Sequence, residues 1–114
     1  MDKLSIEAVP GGEGIRILRL DGPLTLRGLA EFQSIVRDGE EPITIVNLTK
    51  VPFMDSAGLG ALMGVHTSSQ KLGRKYAIVG ASDRVRALFG VAGIDKILVT
   101  YDTVEDAKKA LTES

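Results

Sequence analysis

The run Ile43-Thr44-Ile45-Val46-Asn47-Leu48 constrains the fold more than any other stretch of this chain. It is β-branched and almost wholly apolar, the pattern of a central strand covered on both faces. The next ten residues are equally directive. Val51-Pro52-Phe53-Met54-Asp55-Ser56-Ala57-Gly58-Leu59-Gly60 opens a helical run that lasts to about Gly73. Asp55 is placed to cap that helix, its carboxylate accepting from N–H groups of the first turn that have no helical partner. Ser56 then becomes the first helical residue, with its hydroxyl near the exposed rim of the sheet. Ser56, Gly60 and Gly64 recur at a spacing of four and form a line of small residues, while Leu59, Leu62, Met63 and Val65 supply bulk. Gly73 is positioned for the left-handed cap.

The other segments fall around this strand–helix unit. Residues 4–9 roughly alternate as a half-buried strand, residues 10–14 (Pro-Gly-Gly-Glu-Gly) read as a turn, and residues 15–20 form a second strand, giving an antiparallel hairpin. Asp21-Gly22-Pro23 stops it. From about Thr25 to Arg37 the positions Leu26, Leu29, Ala30, Phe32, Ile35 and Val36 have mostly helical spacing. Residues 76–79 read as a strand, and Ser82 as the cap of a short helix with an inward stripe of Val85, Leu88 and Phe89, broken by Gly90 and Gly93. A last short strand is expected over residues 96–99. Thr103-Val104-Glu105-Asp106 resembles a capping box before a helix that turns Val104, Ala107 and Leu111 one way. The order β-β-α-β-α-β-α-β-α predicts an α/β fold with a mixed sheet of about five strands, an N-terminal hairpin and about four helices. Residues 1–114 read as one domain.

Composition narrows the function. Fourteen basic residues stand against 15 acidic ones, and a dedicated nucleic-acid binder would show a basic excess. Aromatics at 4% provide no stacking platform for single strands. There is no cysteine and one histidine, His66, so a disulfide framework is excluded and a protein-only zinc site is not expected. Residues 1–7 lack the apolar core of a signal peptide, and no run approaches membrane-spanning length. A cytoplasmic domain without direct membrane insertion is the expectation.

Enzymatic readings fare poorly. Gly58-Leu59-Gly60-Ala61-Leu62-Met63-Gly64 misses the dinucleotide fingerprint by one position, no phosphate-binding loop motif appears, and close helix–sheet approach is the better account of these glycines. A nucleophile elbow at Ser56 would require glycine where Met54 stands. His66 lies about 15 Å along the same helix at 1.5 Å per residue, too far to serve Ser56 as a base. No catalytic group and no cofactor is assigned to the chain.

Phe53-Met54-Asp55-Ser56-Ala57-Gly58-Leu59-Gly60 resembles the signature of STAS domains, in particular the bacterial anti-sigma factor antagonists. The likeness continues through Ala77-Ile78-Val79-Gly80 and residues 85–89 to residues 93–98, and covers roughly residues 13–111. It implies a STAS fold and a regulatory role. The serine after the aspartate is the family's phosphoacceptor, which maps onto Ser56. Unphosphorylated, such a protein binds an anti-sigma factor and frees a sigma factor for transcription. The anti-sigma factor is a serine kinase of ATP-binding kinase fold, and a serine phosphatase reverses the mark. The partner surface implied here comprises Asp55, Ser56, Ala57, Gly58 and Gly60, with Thr25, Lys50, Ser82 and Asp83 on the same rim. A monomer or weak dimer is expected. Leu24-Thr25-Leu26 departs from the acidic residue and polar turn that many antagonists carry here. Other STAS roles remain open: an accessory subunit of a lipid-transport ABC system, or a scaffold in stress signalling. A serine hydrolase is the alternative from another class.

Overall fold

The computed structural model describes residues 3–113, so Met1, Asp2 and Ser114 of the expected N-terminal segment and domain limits lie outside the described residues. Five strands form one sheet in sequence order: β1 (Ser5–Gly12), β2 (Ile15–Asp21), β3 (Ile43–Lys50), β4 (Lys75–Val79) and β5 (Thr100–Tyr101). The first pair is antiparallel and the other three pairs are parallel. β3 is central, as its apolar run predicts, and Ile45, Val46 and Leu48 are fully buried. Four helices alternate with the strands: α1 (Leu29–Asp38), α2 (Ser56–Leu72), α3 (Asp83–Ala92) and α4 (Val104–Thr112).

The two-residue period of the strands sorts the core into two layers. Leu18, Leu20, Val46, Leu48 and Ile78 point to one face and meet Phe32 of α1, Leu62 and Val65 of α2, and Val85 and Phe89 of α3. Ile15, Ile17, Ile45, Ala77 and Val79 point to the other, where α4 covers them with Ala107. Three helices therefore share one face and α4 has the second to itself. Arg16, Thr44 and Tyr76 align across the strands at the foot of the three-helix face.

Several boundaries differ from the sequence reading. β1 runs through Pro10 and Gly11 to Gly12, with an irregularity between Pro10 and Gly12, and Glu13-Gly14 alone makes the turn. An edge strand tolerates a proline that cannot donate to the ladder, and a bulge absorbs the mismatch. The first helix is split. Thr25 is extended, Leu26–Gly28 form a 3-10 turn, and α1 begins only at Leu29. Leu26, counted above among the residues at helical spacing, is 70% exposed. Gly90 sits inside α3, and Gly93 alone closes it in the left-handed region. The last strand starts later than residues 96–99. The N–H groups of Ile97 and Leu98 both donate to the Ile94 carbonyl at 3.0 Å, so that stretch folds into a local turn.

The glycine reading also needs correction. A Cβ at Gly60 or Gly64 would meet nothing within 4 Å, so neither permits a close helix–sheet contact. Gly58 does permit a close approach, but to the loop at Leu24 and not to the sheet. A methyl group there would collide with the carbonyl oxygen of Leu24.

Candidate protein-binding site around Ser56

The site lies at the carboxyl ends of the parallel strands, where open α/β sheets present their ligand-binding crevices. Two loops build it. Residues 22–26, from the end of β2 into the 3-10 turn, run alongside residues 50–55, from the last residue of β3 to α2. Gly22 N donates to Lys50 O at 3.0 Å and Leu24 N to Phe53 O at 3.2 Å, and Leu24 pairs with Met54 in a parallel bridge. The first loop therefore acts as a strap along the second.

Asp55 ties strap and helix together. Its Oδ1 accepts from Gly58 N at 3.0 Å, the helix cap expected from the sequence, and its Oδ2 accepts from Leu26 N at 3.1 Å. These two bonds hold the carboxyl below the usual carboxylate range, the Gly58 N–H contributing most. The second bond has no signature in the sequence, because one continuous helix over residues 25–37 would leave Leu26 N–H without a distant acceptor. It brings Thr25, half-buried, to the neighbourhood of Ser56.

Ser56 is exposed at the first position of α2, and its hydroxyl has no hydrogen bond among the described residues. Ala57 is half-buried and Gly60 exposed. Gly58 is buried against the strap, so the backbone it admits is that of residue 24 of its own chain rather than a partner's. Lys50 and Ser82 line a shallow cleft of about 600 Å³ with Asp21, Thr49 and Arg84. Ser82 Oγ accepts from Val85 N at 3.2 Å as the cap of α3, and Asp83 is exposed in its first turn. Arg86 is engaged by Asp102 at 2.6 Å and donates through Nε to the Ala81 carbonyl.

Two apolar groups flank Ser56 that sequence reasoning missed. Leu26 is 70% exposed and Phe53 39%, with the Arg84 guanidinium 5.8 Å from the Phe53 ring centroid. Spacing carries no signal that separates exposed Leu26 from buried Leu24. For Phe53 a signal existed: it sits just ahead of a helix cap, where an apolar side chain has no helical face to join. Among the described residues no group of acidic or histidine side chains could hold a metal ion. His66 Nδ1 lies 2.7 Å from the Tyr76 hydroxyl, which also accepts from Val99 N. It is engaged in packing α2 on β4.

Exposed hydroxyl, capped helix and strap together make a face that a second protein can cover, on a sheet with this strand order. The sequence profile described as STAS domain matches residues 8–107. The chain belongs to the STAS family. An anti-sigma-B factor antagonist of Staphylococcus aureus is 29% identical over 92 residues, covering 77% of this chain and 84% of that protein. A Thermotoga neapolitana protein whose name carries the words anti-sigma factor antagonist is 29% identical over 76 residues, covering 67% of this chain and 66% of its own, just under two thirds. Among solved structures, an anti-sigma factor antagonist from Mycobacterium paratuberculosis superposes with a TM-score of 0.83 at 20% identity, over 97% of this chain and 96% of that one. The Bacillus cell fate determinant SpoIIAA in its phosphorylated form gives 0.66 at 20% identity, over 93% and 98%. The STAS fold expected from the signature is thus the fold observed. No helix among the described residues is long and apolar enough to cross a membrane.

Proposed function

We propose that this STAS domain, taken as one unit over residues 1–114, is an anti-sigma factor antagonist whose partner switch is phosphorylation of Ser56. The observation that carries the reading is the exposed, unbonded Ser56 hydroxyl at the start of α2, flanked by exposed Leu26 and Phe53. Unphosphorylated, the domain binds an anti-sigma factor of ATP-binding kinase fold in the cytoplasm and so frees a sigma factor. The kinase places a phosphate on Ser56, the complex ends, and a serine phosphatase restores the hydroxyl. ATP and its metal belong to the kinase, and this chain performs no catalysis. The contact face comprises Asp55, Ser56, Ala57 and Gly60, with Thr25, Lys50, Ser82 and Asp83 at its margin and Gly58 fixing the strap beneath.

The switch follows from charge. A phosphate adds roughly −1.5 to −2 charges and three acceptor oxygens. At the N-terminus of α2 the helix dipole favours it by about 0.3–2 kcal/mol, and the neighbouring Asp55 carboxylate works the other way, so the fold is little changed. Across an interface no such balance holds. About 6 Å from a partner carboxylate, at an effective dielectric near 20, the phosphate costs roughly 4–5.5 kcal/mol before screening. That is about a thousand- to ten-thousand-fold in affinity.

The test is incubation with the host's kinase-fold anti-sigma factor and ATP, with mass spectrometry to locate the phosphate and a binding titration of Ser56→Asp. The expected result is a single phosphate on Ser56 and an affinity at least about a hundred-fold lower for Ser56→Asp, with a native circular dichroism spectrum. A phosphate elsewhere, or unchanged affinity, overturns the proposal. Capture of an ABC ATPase from the host in place of a kinase would assign the same face to transporter regulation.

A further inference from the structure

A second concave site lies at the opposite end of the domain. The groove between α1 and α2 has a volume of about 350 Å³, within the range of small-molecule pockets. Its floor is Arg16 and Thr44, at the amino ends of β2 and β3, and it opens near Gly64, eight residues or about 12 Å along α2 from Ser56. Phe32, Val36, Ala61, Val65 and Leu72 make its apolar wall, and Leu72 is 59% exposed.

Its charge is one-sided. Arg16, Arg37 and Arg74 all line it and no acidic residue does. Arg16 is 8% exposed, an unusual state for a guanidinium. Its two terminal nitrogens are engaged, with the Ile35 and Val36 carbonyls at the end of α1 and with Thr44 Oγ1 at 3.0 Å. Its buried Nε has no hydrogen-bond partner. The nearest carboxylate, Glu41 Oε1 at 3.8 Å, stands outside the groove. Burial lowers the Arg16 pKa, Glu41 opposes that only in part, and the like charge of Arg74 adds to the lowering. Arg74 donates one N–H to the Gly39 carbonyl at 2.8 Å, and neither Arg37 nor Arg74 has a carboxylate partner among the described residues. An apolar wall beside two cations without a carboxylate partner, Arg37 and Arg74, and a buried third, Arg16, whose one carboxylate neighbour stands outside the groove, is the surface that an amphiphilic anion neutralises.

Gly64 adds an independent observation. A glycine inside a helix costs roughly 1 kcal/mol relative to alanine. A Cβ here would meet nothing within 4 Å, so the domain's own packing gives no reason for the cost. What the missing side chain does is leave the groove open.

We propose that the α1–α2 groove binds a small organic anion with an apolar body, of the medium-chain carboxylate class, its head near Arg16, Arg37 and Arg74 and its chain along Val36, Val65 and Leu72. This site is separate from the Ser56 face and does not depend on the partner switch. The test is titration of the full chain with octanoate, octylammonium and octanol, each below its aggregation concentration, followed by calorimetry and amide chemical shifts. Octanoate is expected to saturate, with shifts centred on Gly64, Ser68 and Arg74, and the other two to bind at least about tenfold more weakly. Gly64→Leu, whose Cβ would meet nothing within 4 Å, should occupy the groove and abolish binding, and Arg37→Glu, at an exposed position, should weaken it about tenfold or more at unchanged melting temperature. Absence of saturable octanoate binding overturns the proposal. So does equal affinity for octylammonium or octanol, or full affinity in the folded Gly64→Leu protein.

Discussion

Gly58 and Gly60 stand two residues apart in the first turns of α2 and do opposite things. At Gly58 the helix is pressed against the strap, and a methyl group would run into the Leu24 carbonyl and come within 3.0 Å of Met54 Cβ. At Gly60 the same methyl group would point into open space. One glycine is required by the fold, and the other weakens the helix for no gain within the domain. The contrast separates the inner side of the site, which positions Ser56, from its outer side, which is offered to whatever binds there. Small side chains alone did not distinguish the two.

The largest expected effect lies on the inner side. Gly58→Ala should lower stability by about 2–3 kcal/mol, the upper range for overpacking, because the obstacle is backbone and not the end of a flexible side chain. For a domain of this size that is a fall in melting temperature of roughly 10 °C or more, measurable by differential scanning calorimetry. It should also loosen residues 22–26 and speed amide exchange at Leu26. If Gly58→Ala melts within a degree of the parent, the strap yields freely and the contrast between the two glycines collapses.

Next in size is Asp55, which joins the two sides. Asp55→Ala removes the acceptors for Gly58 N and Leu26 N and should cost about 1–2 kcal/mol, as loss of a helix cap does. The carboxyl also leaves an acid signature. Its folded-state pKa lies below its unfolded value, chiefly through the Gly58 N–H. Its stabilisation is therefore complete above the unfolded value of about 3.9 and is lost as pH falls through the folded one. Asp55→Asn keeps a capping oxygen and removes the titration. Its melting temperature should lie below the parent's at neutral pH, because the amide nitrogen cannot accept from Leu26 N, and fall less steeply in acid, and an identical acid limb would show that the carboxylate contributes nothing there.

Much of this was legible in the residues themselves. The strand at 43–48, the Asp55 cap, the Ser82 and Thr103 caps and the left-handed Gly73 are local patterns, and each resolves within a few positions. What escaped depends on contacts distant in sequence. The bond from Leu26 N to Asp55 spans 29 positions, and it accompanies a 3-10 turn and an exposed leucine where periodicity alone predicted continuous helix. The groove escaped for the same reason. Arg16, Val36, Gly64 and Arg74 come from separate parts of the chain, and no spacing rule gathers them.

The smallest expected effect has the opposite sign. Gly60→Ala should raise stability by about 0.5–1 kcal/mol, because alanine restricts the unfolded chain and favours the helix while meeting no obstacle in the folded state. Gly64→Ala should do the same. Denaturant titration of the two variants measures both. If Gly60 serves the proposed partner face, the stabilised Gly60→Ala protein should nonetheless bind the anti-sigma factor more weakly, since a methyl group now stands where another backbone would approach. Gly64→Ala, a turn further on, should bind that partner as the parent does. Greater stability with weaker binding at one glycine, and greater stability alone at its neighbour, would locate the edge of the interface between them. Equal loss of binding at both would extend it along α2, and no loss at either would confine it to the loops around Ser56.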